Sequence, residues 1–222
     1  MKPSVLVLNG WAASDAAWSL CGFRRDGVYS YRDHLDGATA RAFDAAGSAI
    51  LVGWSMGGSY ALRMVLRDPG TVKGLVLVAA TPRMMADSGW VGMTERRLAA
   101  LDAGLRLTLC GGGFTQLPPD KPNPYAADTD ENLARGLYYL RETDLRGELE
   151  ARRGEIASIP AFIFQSERDA VVRPHNAEYL ASLFAKARLS MIPGAEHALP
   201  IFIPELIDDA VEALLTGLVD GD

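Results

Sequence analysis

Residues 49–58 read AILVGWSMGG, and this stretch decides the fold. A short apolar run, of the kind that forms a buried strand, breaks here into the pattern G-x-S-x-G. Apolar residues then recur at helical spacing from Ser59 to Arg67, so a helix follows at once. A strand, a sharp turn and a helix in this order form a nucleophile elbow. The pattern makes Ser55 a candidate nucleophile, and the alternative is a glycine-rich turn whose serine has no role.

The composition predicts one soluble α/β domain. The chain has 222 residues, of which 49% are hydrophobic and 23% charged, and its net charge of −6 disfavours non-specific binding of nucleic acid. Cys21 and Cys110 are far apart and belong to no C-x-x-C motif, which indicates reduced thiols and a cytoplasmic location. We expect neither a signal peptide nor a membrane span, because no apolar run is long enough.

Strand and helix patterns alternate along the chain. Buried strands are predicted at 5–8, 49–53, 72–79, 161–164 and 187–192, with a short strand at 27–31. Helices are predicted at 15–20, 36–46, 59–67, 94–109, 130–142, 174–184 and 204–215. This order predicts an α/β fold with a mostly parallel, twisted sheet of six to seven strands flanked by helices.

Residues 83–155 interrupt the alternation. They contain no long apolar strand, but they hold several methionines, a triple glycine at 111–113 and two helical patterns. We interpret them as a helical cap inserted into a core formed by residues 1–82 and 156–222. Ligands of parallel sheets bind beyond the carboxyl ends of the strands, so the cap is expected to cover a site there.

A serine nucleophile needs a base and an acid, which follow it in this order along the chain: Ser, Asp or Glu, His. Asp169 comes just after the strand at 161–164, and His197 comes just after the strand at 187–192. Glu167 competes with Asp169 for the acid. His34 precedes the serine, and His175 stands at the start of a predicted helix, so His197 is the expected base.

Acyl transfer to a serine also requires donors for the developing oxyanion. The backbone N–H of Met56, which follows the candidate nucleophile, is one expected donor. The second is the N–H of Trp11, in the loop after the first strand, although an ordinary turn at residues 9–11 is the alternative reading.

Large apolar residues near the predicted site and in the cap suggest a pocket above Ser55. We predict that a substrate binds among Trp11, Trp54, Met84, Met85, Trp90, Tyr138 and Tyr139, and Met93 and Phe114 have the same character. The alternative is that these side chains form only the core of the cap.

Several of these motifs together resemble the α/β-hydrolase superfamily. They are residues 8–11 (LNGW), 53–58 (GWSMGG), the loop at Asp169 and residues 194–198 (GAEHA). More narrowly, Trp11, Trp54 and residues 136–146 (GLYYLRETDLR) resemble the biotin-pathway esterases that demethylate pimeloyl-[acyl-carrier protein] methyl ester. The chain departs from that family at Asn9, where a histidine is usual, and between residues 10 and 53, where it is short.

The resemblance implies a serine carboxylesterase of the α/β-hydrolase fold that needs no cofactor and no metal. It also implies an acyl carrier protein as partner, contacted by arginines of the cap: Arg96, Arg97, Arg135 and Arg141. Because residues 83–155 contain 10 basic and 12 acidic residues, such a contact requires a local cluster.

Other functions remain open from the residues. The same three side chains would also suit an esterase of small esters, a thioesterase or a carbon–carbon bond hydrolase. A silent protein that only binds a ligand is the alternative from another class.

Overall fold

The computed structural model describes residues 2–109, 117 and 120–217, with the backbone alone for 106–109. Within these ranges it contains one sheet of six parallel strands in the order β2-β1-β3-β4-β5-β6. The strands are β1 (Ser4–Leu8), β2 (Gly27–Tyr29), β3 (Ala49–Trp54), β4 (Val72–Val78), β5 (Ala161–Ser166) and β6 (Ala187–Ile192). The sequence therefore predicted the fold class and the strands correctly.

The helices flank this sheet. They are α1 (Tyr31–Leu35), α2 (Ala38–Ala46), α3 (Met56–Arg67), α4 (Glu95–Leu109), α5 (Asp130–Glu142), α6 (Arg146–Ala151), α7 (Arg153–Ile156), α8 (His175–Leu183) and α9 (Pro204–Thr216). Short 3-10 helices span Asp15–Trp18 and Leu199–Ile201.

Alternate side chains of the central strands enter two separate cores, because successive residues of a strand point to opposite faces. Leu51 and Leu75 pack with the apolar faces of α3 and α8. Ile50 and Val76 pack on the other face with α9. Both faces are covered, which explains why these strands read as continuous apolar runs in the sequence.

The helix predicted at 36–46 is α2, and a second helix, α1, which was not predicted, precedes it. Ser30 and Asp33 form a reciprocal capping box that begins α1, and Gly37 adopts a left-handed conformation (φ +76°) between α1 and α2. The motif Ser30-x-x-Asp33 is a sequence signal for this helix start. The helices α6 and α7 were also not predicted.

Residues 83–155, hereafter the inserted segment, run between β4 and β5 and hold α4 to α6. The chain returns to the start of the segment after α5, since Arg83 forms an isolated bridge with Asp144 and the N–H of Leu145 donates to the carbonyl of Pro82. Its buried side chains pack on Trp11 and Met56 of the sheet edge. The boundaries of a separate cap stay a prediction, and residues 110–116, with Cys110, the triple glycine and Phe114, lie outside the described residues.

Two further expectations concern membranes and thiols. Among the helices that the structure describes, none is both long and apolar enough to cross a bilayer. Cys21 is a free buried thiol, and burial raises its pKa to about 12.

Candidate active site

The carboxyl ends of three strands bring Ser55, Asp169 and His197 together. Nε2 of His197 lies 2.9 Å from Oγ of Ser55, and Nδ1 of His197 lies 2.8 Å from Oδ2 of Asp169. All three residues are buried, and Asp169 is only 1% exposed. Because a carboxylate can only accept, Nδ1 carries a proton and the free lone pair of Nε2 faces the serine hydroxyl. This arrangement can remove the proton from Ser55.

The turn at Ser55 has the strained geometry of a nucleophile elbow. Ser55 has φ +56° and ψ −119°, a backbone region that is costly for a residue with a Cβ atom. Gly57 permits the turn, because a Cβ atom there would lie 2.0 Å from the carbonyl oxygen of Leu8. Gly53 is required in the same way, since its Cβ atom would lie 2.7 Å from the backbone of Gly57 and Gly58.

Asp169 is held by four donors. Its Oδ1 accepts from the backbone N–H groups of Val171 and Val172, at 2.8 and 2.9 Å. Its Oδ2 accepts from His197 and, at 3.2 Å, from the amide of Gln165. Gln165 was not among the predicted site residues, although its place on β5, four residues before the acid, is a sequence signal for this contact. The competing acid, Glu167, is exposed, whereas Asp169 is buried.

Trp54 contacts both the backbone and the ring of His197. The indole Nε1 of Trp54 donates to the carbonyl oxygen of His197 at 3.0 Å, and the two rings lie 5.8 Å apart. The other two histidines lie elsewhere. His34 is buried under the loop after β1, and His175 begins α8 and packs edge-on against Trp90.

The two expected oxyanion donors are free to bind a ligand. Within the described ranges, the N–H groups of Trp11 and Met56 donate to no other group of the protein. The loop that carries Trp11 touches the nucleophile, because a Cβ atom on Gly10 would lie 3.2 Å from Cβ of Ser55. Met56 is the first residue of α3, where backbone N–H groups have no helical partner and the helix dipole favours an anion.

A narrow pocket opens beside Ser55 under the inserted segment. It is lined by Gly10, Trp11, Trp54, Ser55, Met84, Leu101, Leu105, Tyr125, Leu140, Val171 and His197. Trp11, Trp54 and Met84 were predicted. The leucines were missed, because nothing in their spacing distinguishes the pocket face of a helix from its core face, and Tyr125, which lies outside the helices, was missed too. Burial raises the pKa of Tyr125, so its phenol stays protonated near neutral pH.

Four other residues predicted to bind substrate are not in this pocket. Met85 is buried within the apolar cluster of the inserted segment. The indole of Trp90 donates to the carbonyl of Arg83 and packs on Tyr179. Tyr138 is 66% exposed, and Tyr139 packs on Tyr60. Each of these side chains already has a structural role or faces away from Ser55.

The four arginines of the predicted carrier-protein contact have different partners. Arg135 pairs with Asp36, and Arg141 pairs with Glu95. Arg96 is exposed on α4. Arg97 instead donates to the carbonyl of Ala170, beside a wider cleft of about 380 Å³ that also reaches His197.

This wider cleft is more polar than the pocket. Its lining residues are Met93, Arg97, Ala100, Leu101, Arg168, Ala170, Val171, Glu196 and His197. Two arginines and one glutamate thus line a cleft that also reaches His197. In the part of the chain that the structure describes, no three His, Cys, Asp or Glu side chains are grouped so as to hold a metal ion.

The chain is similar to known proteins over most of its length. Residues 6–211 match the Alpha/beta hydrolase family. The chain is 25% identical over 237 residues to the pimeloyl-[acyl-carrier protein] methyl ester esterase of Nitrosospira multiformis, with 88% of each chain covered. It is 28% identical over 243 residues to the enzyme of the same name from Edwardsiella ictaluri, with 92% of this chain and 90% of the relative covered.

Solved structures share the fold. An esterase from Exiguobacterium antarcticum superposes with a TM-score of 0.72 at 19% identity, covering 96% of this chain and 92% of that one. A hydrolase from Pseudomonas aeruginosa gives a TM-score of 0.70 at 20% identity, covering 96% and 90%.

Proposed function

The chain belongs to the alpha/beta hydrolase family, and from this premise we propose that it is a serine carboxylesterase. Ser55 is the nucleophile, His197 the general base and Asp169 the group that orients the imidazole. The observation that carries this proposal is the chain of hydrogen bonds at 2.9 and 2.8 Å that joins the three side chains beside an apolar pocket. The family's esterases support the ester as substrate.

In the first half-reaction, Oγ of Ser55 attacks the ester carbonyl carbon and its proton passes to Nε2 of His197. The negative charge moves to the carbonyl oxygen, which the N–H groups of Trp11 and Met56 bind. Asp169 stabilises the imidazolium that forms. The tetrahedral intermediate then expels the alcohol, which takes the proton from His197, and an acyl-serine remains.

In the second half-reaction, water takes the place of the alcohol. His197 removes a proton from the water as the water oxygen attacks the acyl carbon, and the same two N–H groups bind the new oxyanion. Collapse of this intermediate returns the proton to Ser55 and releases the carboxylic acid. One ester and one water thus give one acid and one alcohol.

For the substrate we propose a methyl ester of a medium-length acyl chain carried on acyl carrier protein, pimeloyl-[acyl-carrier protein] methyl ester. The names of the curated relatives support this substrate, as does the apolar lining of the pocket, which suits methylene groups. Arg97 and Arg168 at the wider cleft offer positive charge to an acidic carrier. Arg135 and Arg141 have no such role, because both are paired with acidic side chains.

A fluorophosphonate probe tests the mechanism directly. We expect stoichiometric labelling of Ser55, located by peptide mapping, and no labelling of the Ser55→Ala variant, which serves as the matched control. A wild-type protein that stays unlabelled would rule out the serine esterase. Release of methanol from the carrier-linked pimeloyl methyl ester, compared with the free methyl ester, then tests the substrate. Equal rates would leave a general esterase.

A further inference from the structure

His34 is a buried histidine that the proposed reaction does not use directly. It is 2% exposed and stacks on Tyr60, with ring centroids 4.7 Å apart. Both ring nitrogens are bonded: Nε2 lies 3.0 Å from the carbonyl oxygen of Asn9, and Nδ1 lies 2.8 Å from Oγ1 of Thr39. Asn9 immediately precedes the loop that carries Trp11.

The partners of His34 determine its tautomer. A carbonyl oxygen only accepts, so Nε2 carries the proton and donates to Asn9. Nδ1 is then unprotonated and accepts from the hydroxyl of Thr39. Burial lowers the pKa of His34 to about 4, so the ring is neutral near pH 7. The neutral ring therefore donates continuously to the backbone of Asn9.

The other groups of Asn9 are held as firmly as its carbonyl. Its backbone N–H donates to Tyr29 at 2.8 Å. Its side-chain Oδ1 accepts from the indole of Trp18 at 2.5 Å, and its Nδ2 donates to Asp15 at 3.1 Å. Each polar atom of Asn9 is thus hydrogen-bonded, and His34 supplies the bond that orients the peptide between Asn9 and Gly10.

The next peptide carries the oxyanion donor. The carbonyl oxygen of Gly10 accepts from the N–H of Ala13 at 3.2 Å. In a planar trans peptide the N–H points opposite to the carbonyl, so this bond aims the N–H of Trp11 the other way. Ala12 completes the turn with φ +54°, a strained value that the surrounding bonds must maintain.

The second donor is coupled to the same carbonyl. A Cβ atom on Gly57 would lie 2.8 Å from the carbonyl oxygen of Asn9, so the start of α3 packs directly on this peptide. Met56, whose N–H is the second donor, is the neighbouring residue of that helix. A rotation of the Asn9 carbonyl would therefore disturb both sides of the oxyanion site.

We propose that His34 is a positioning residue for ester hydrolysis, which orients the oxyanion donor of Trp11 by donating a hydrogen bond to the carbonyl of Asn9. This inference rests on the proposed esterase function. His34 touches no substrate, and its effect is confined to the step in which charge develops on the carbonyl oxygen. Its loss is expected to lower kcat and to leave KM almost unchanged.

Two amide substitutions distinguish this positioning role from a purely structural role of His34. In His34→Gln the amide nitrogen takes the place of Nε2 and can still donate to Asn9. In His34→Asn the shorter amide reaches only the place of Nδ1, near Thr39. We expect kcat for p-nitrophenyl hexanoate to fall about 10- to 100-fold in His34→Asn and to stay within about threefold of wild type in His34→Gln.

A trifluoromethyl ketone with a hexyl chain provides a second readout. Addition of Oγ of Ser55 to its carbonyl carbon gives a tetrahedral oxyanion, with the serine proton on His197. The inhibition constant should rise in His34→Asn by the same factor by which kcat falls. Binding of the corresponding secondary alcohol, which forms no oxyanion, should not change.

Asn176→Ala is the matched control for lost stability. Asn176 is buried in α8, where it accepts from Thr81 at 2.5 Å and donates to Arg173 at 2.8 Å, and neither of these partners belongs to the loop after β1. We expect a lower melting temperature with an unchanged kcat. If His34→Asn keeps the wild-type kcat, or if Gln and Asn lower it equally, the inference is wrong. A wild-type protein that hydrolyses no ester contradicts the proposed function instead.

Discussion

The edge of the sheet and the inserted segment place their functional side chains by different means. At the sheet edge, Ser55, Asp169 and His197 each follow a strand, and the parallel pairing of β3, β4, β5 and β6 brings the strand ends together. In the inserted segment, Met84 reaches the pocket while Trp90 turns toward α8. The position of a residue that follows a strand can thus be predicted from the sequence. The direction in which a side chain of the inserted segment points depends instead on how that segment packs.

The two regions also differ in how firmly their polar groups are held. Asp169 is buried and receives four hydrogen bonds, two of them from the backbone. The ion pairs of Arg135 and Arg141 in the inserted segment are largely exposed. Exposed pairs contribute only about 0–1 kcal/mol each, so changes at the sheet edge should have larger effects than changes in the inserted segment.

The largest effect is expected at Ser55. Ser55→Ala should lower kcat for p-nitrophenyl hexanoate by about 10⁵-fold with an unchanged melting temperature, since only binding and the oxyanion donors remain. His197→Ala should have a similar effect, and the double variant should be scarcely worse, because the residues act as a unit. His175→Ala is the control and should keep its activity. A Ser55→Ala protein with a tenth of the wild-type rate would contradict the mechanism.

The buried His34 should make the core sensitive to acid. Its pKa is about 4 in the folded protein and near 6.5 when unfolded, so the unfolded state binds the proton more readily. Its contribution is complete above pH 6.5, falls as the pH drops toward 4, and amounts to about 3 kcal/mol. The nearby Asp33 opposes part of this shift.

Urea unfolding between pH 4 and 7 measures this contribution. His34→Gln, which cannot titrate, should lose most of the slope of unfolding free energy against pH. His175→Gln is the comparison, because His175 lies against Trp90, where burial also lowers its pKa, and makes no part of the loop after β1. Parallel curves for wild type and His34→Gln would show that His34 is not the group that titrates.

The pocket should select acyl chains of medium length. Each methylene buried contributes about 0.8 kcal/mol, which is roughly a fourfold gain in kcat/KM per carbon until the pocket is full. Met84→Ala removes part of the wall and should lower kcat/KM for hexanoate by about tenfold, with a smaller effect on acetate. Trp90→Phe, outside the pocket, should leave the order of chain lengths unchanged. These values of kcat/KM are measured on a series of p-nitrophenyl esters. Equal changes in chain-length preference in both variants would contradict the placement of Met84 inside the pocket and Trp90 outside it.

The smallest effect concerns salt. If Arg97 at the wider cleft attracts an acidic carrier, KM for the carrier-linked ester should rise with ionic strength, because exposed charges are screened beyond about 10 Å at 0.1 M salt. Arg97→Gln should weaken this dependence, while Arg135→Gln, whose arginine pairs with Asp36, should not. A small neutral ester serves as the control substrate and should show no dependence. Identical salt profiles for both substrates would remove the carrier protein from the proposal.

The sequence predicted the positions of residues that are fixed by local backbone geometry. Gly53 and Gly57 around Ser55 are required by the close approach of backbone atoms, and this requirement is visible as G-x-S-x-G. The places of Asp169 and His197 follow from the ends of β5 and β6. Their hydrogen bonds agree with the assignment, although their catalytic roles stay a prediction until the variants are measured.

The sequence predicted the pocket residues less well, because a large apolar side chain can pack against any of several surfaces. Trp90, Tyr138 and Tyr139 have the composition of pocket residues, but the structure places one against α8, one in solvent and one on Tyr60. Nor did the spacing indicate that Tyr125 and Leu140 would line the pocket.

The sequence by itself determined the parallel α/β sheet, the elbow at Ser55 and the order of its two partners, because strand periodicity and steric limits on glycine act over a few residues. Only the tertiary structure decided which side of the inserted segment faces Ser55, and that His34, 25 residues away from Asn9, would hold its carbonyl. Contacts of this kind form when separate elements pack. Burial of apolar surface drives that packing but has no directional preference. Which side chains end up in contact therefore depends on the shape of the whole core.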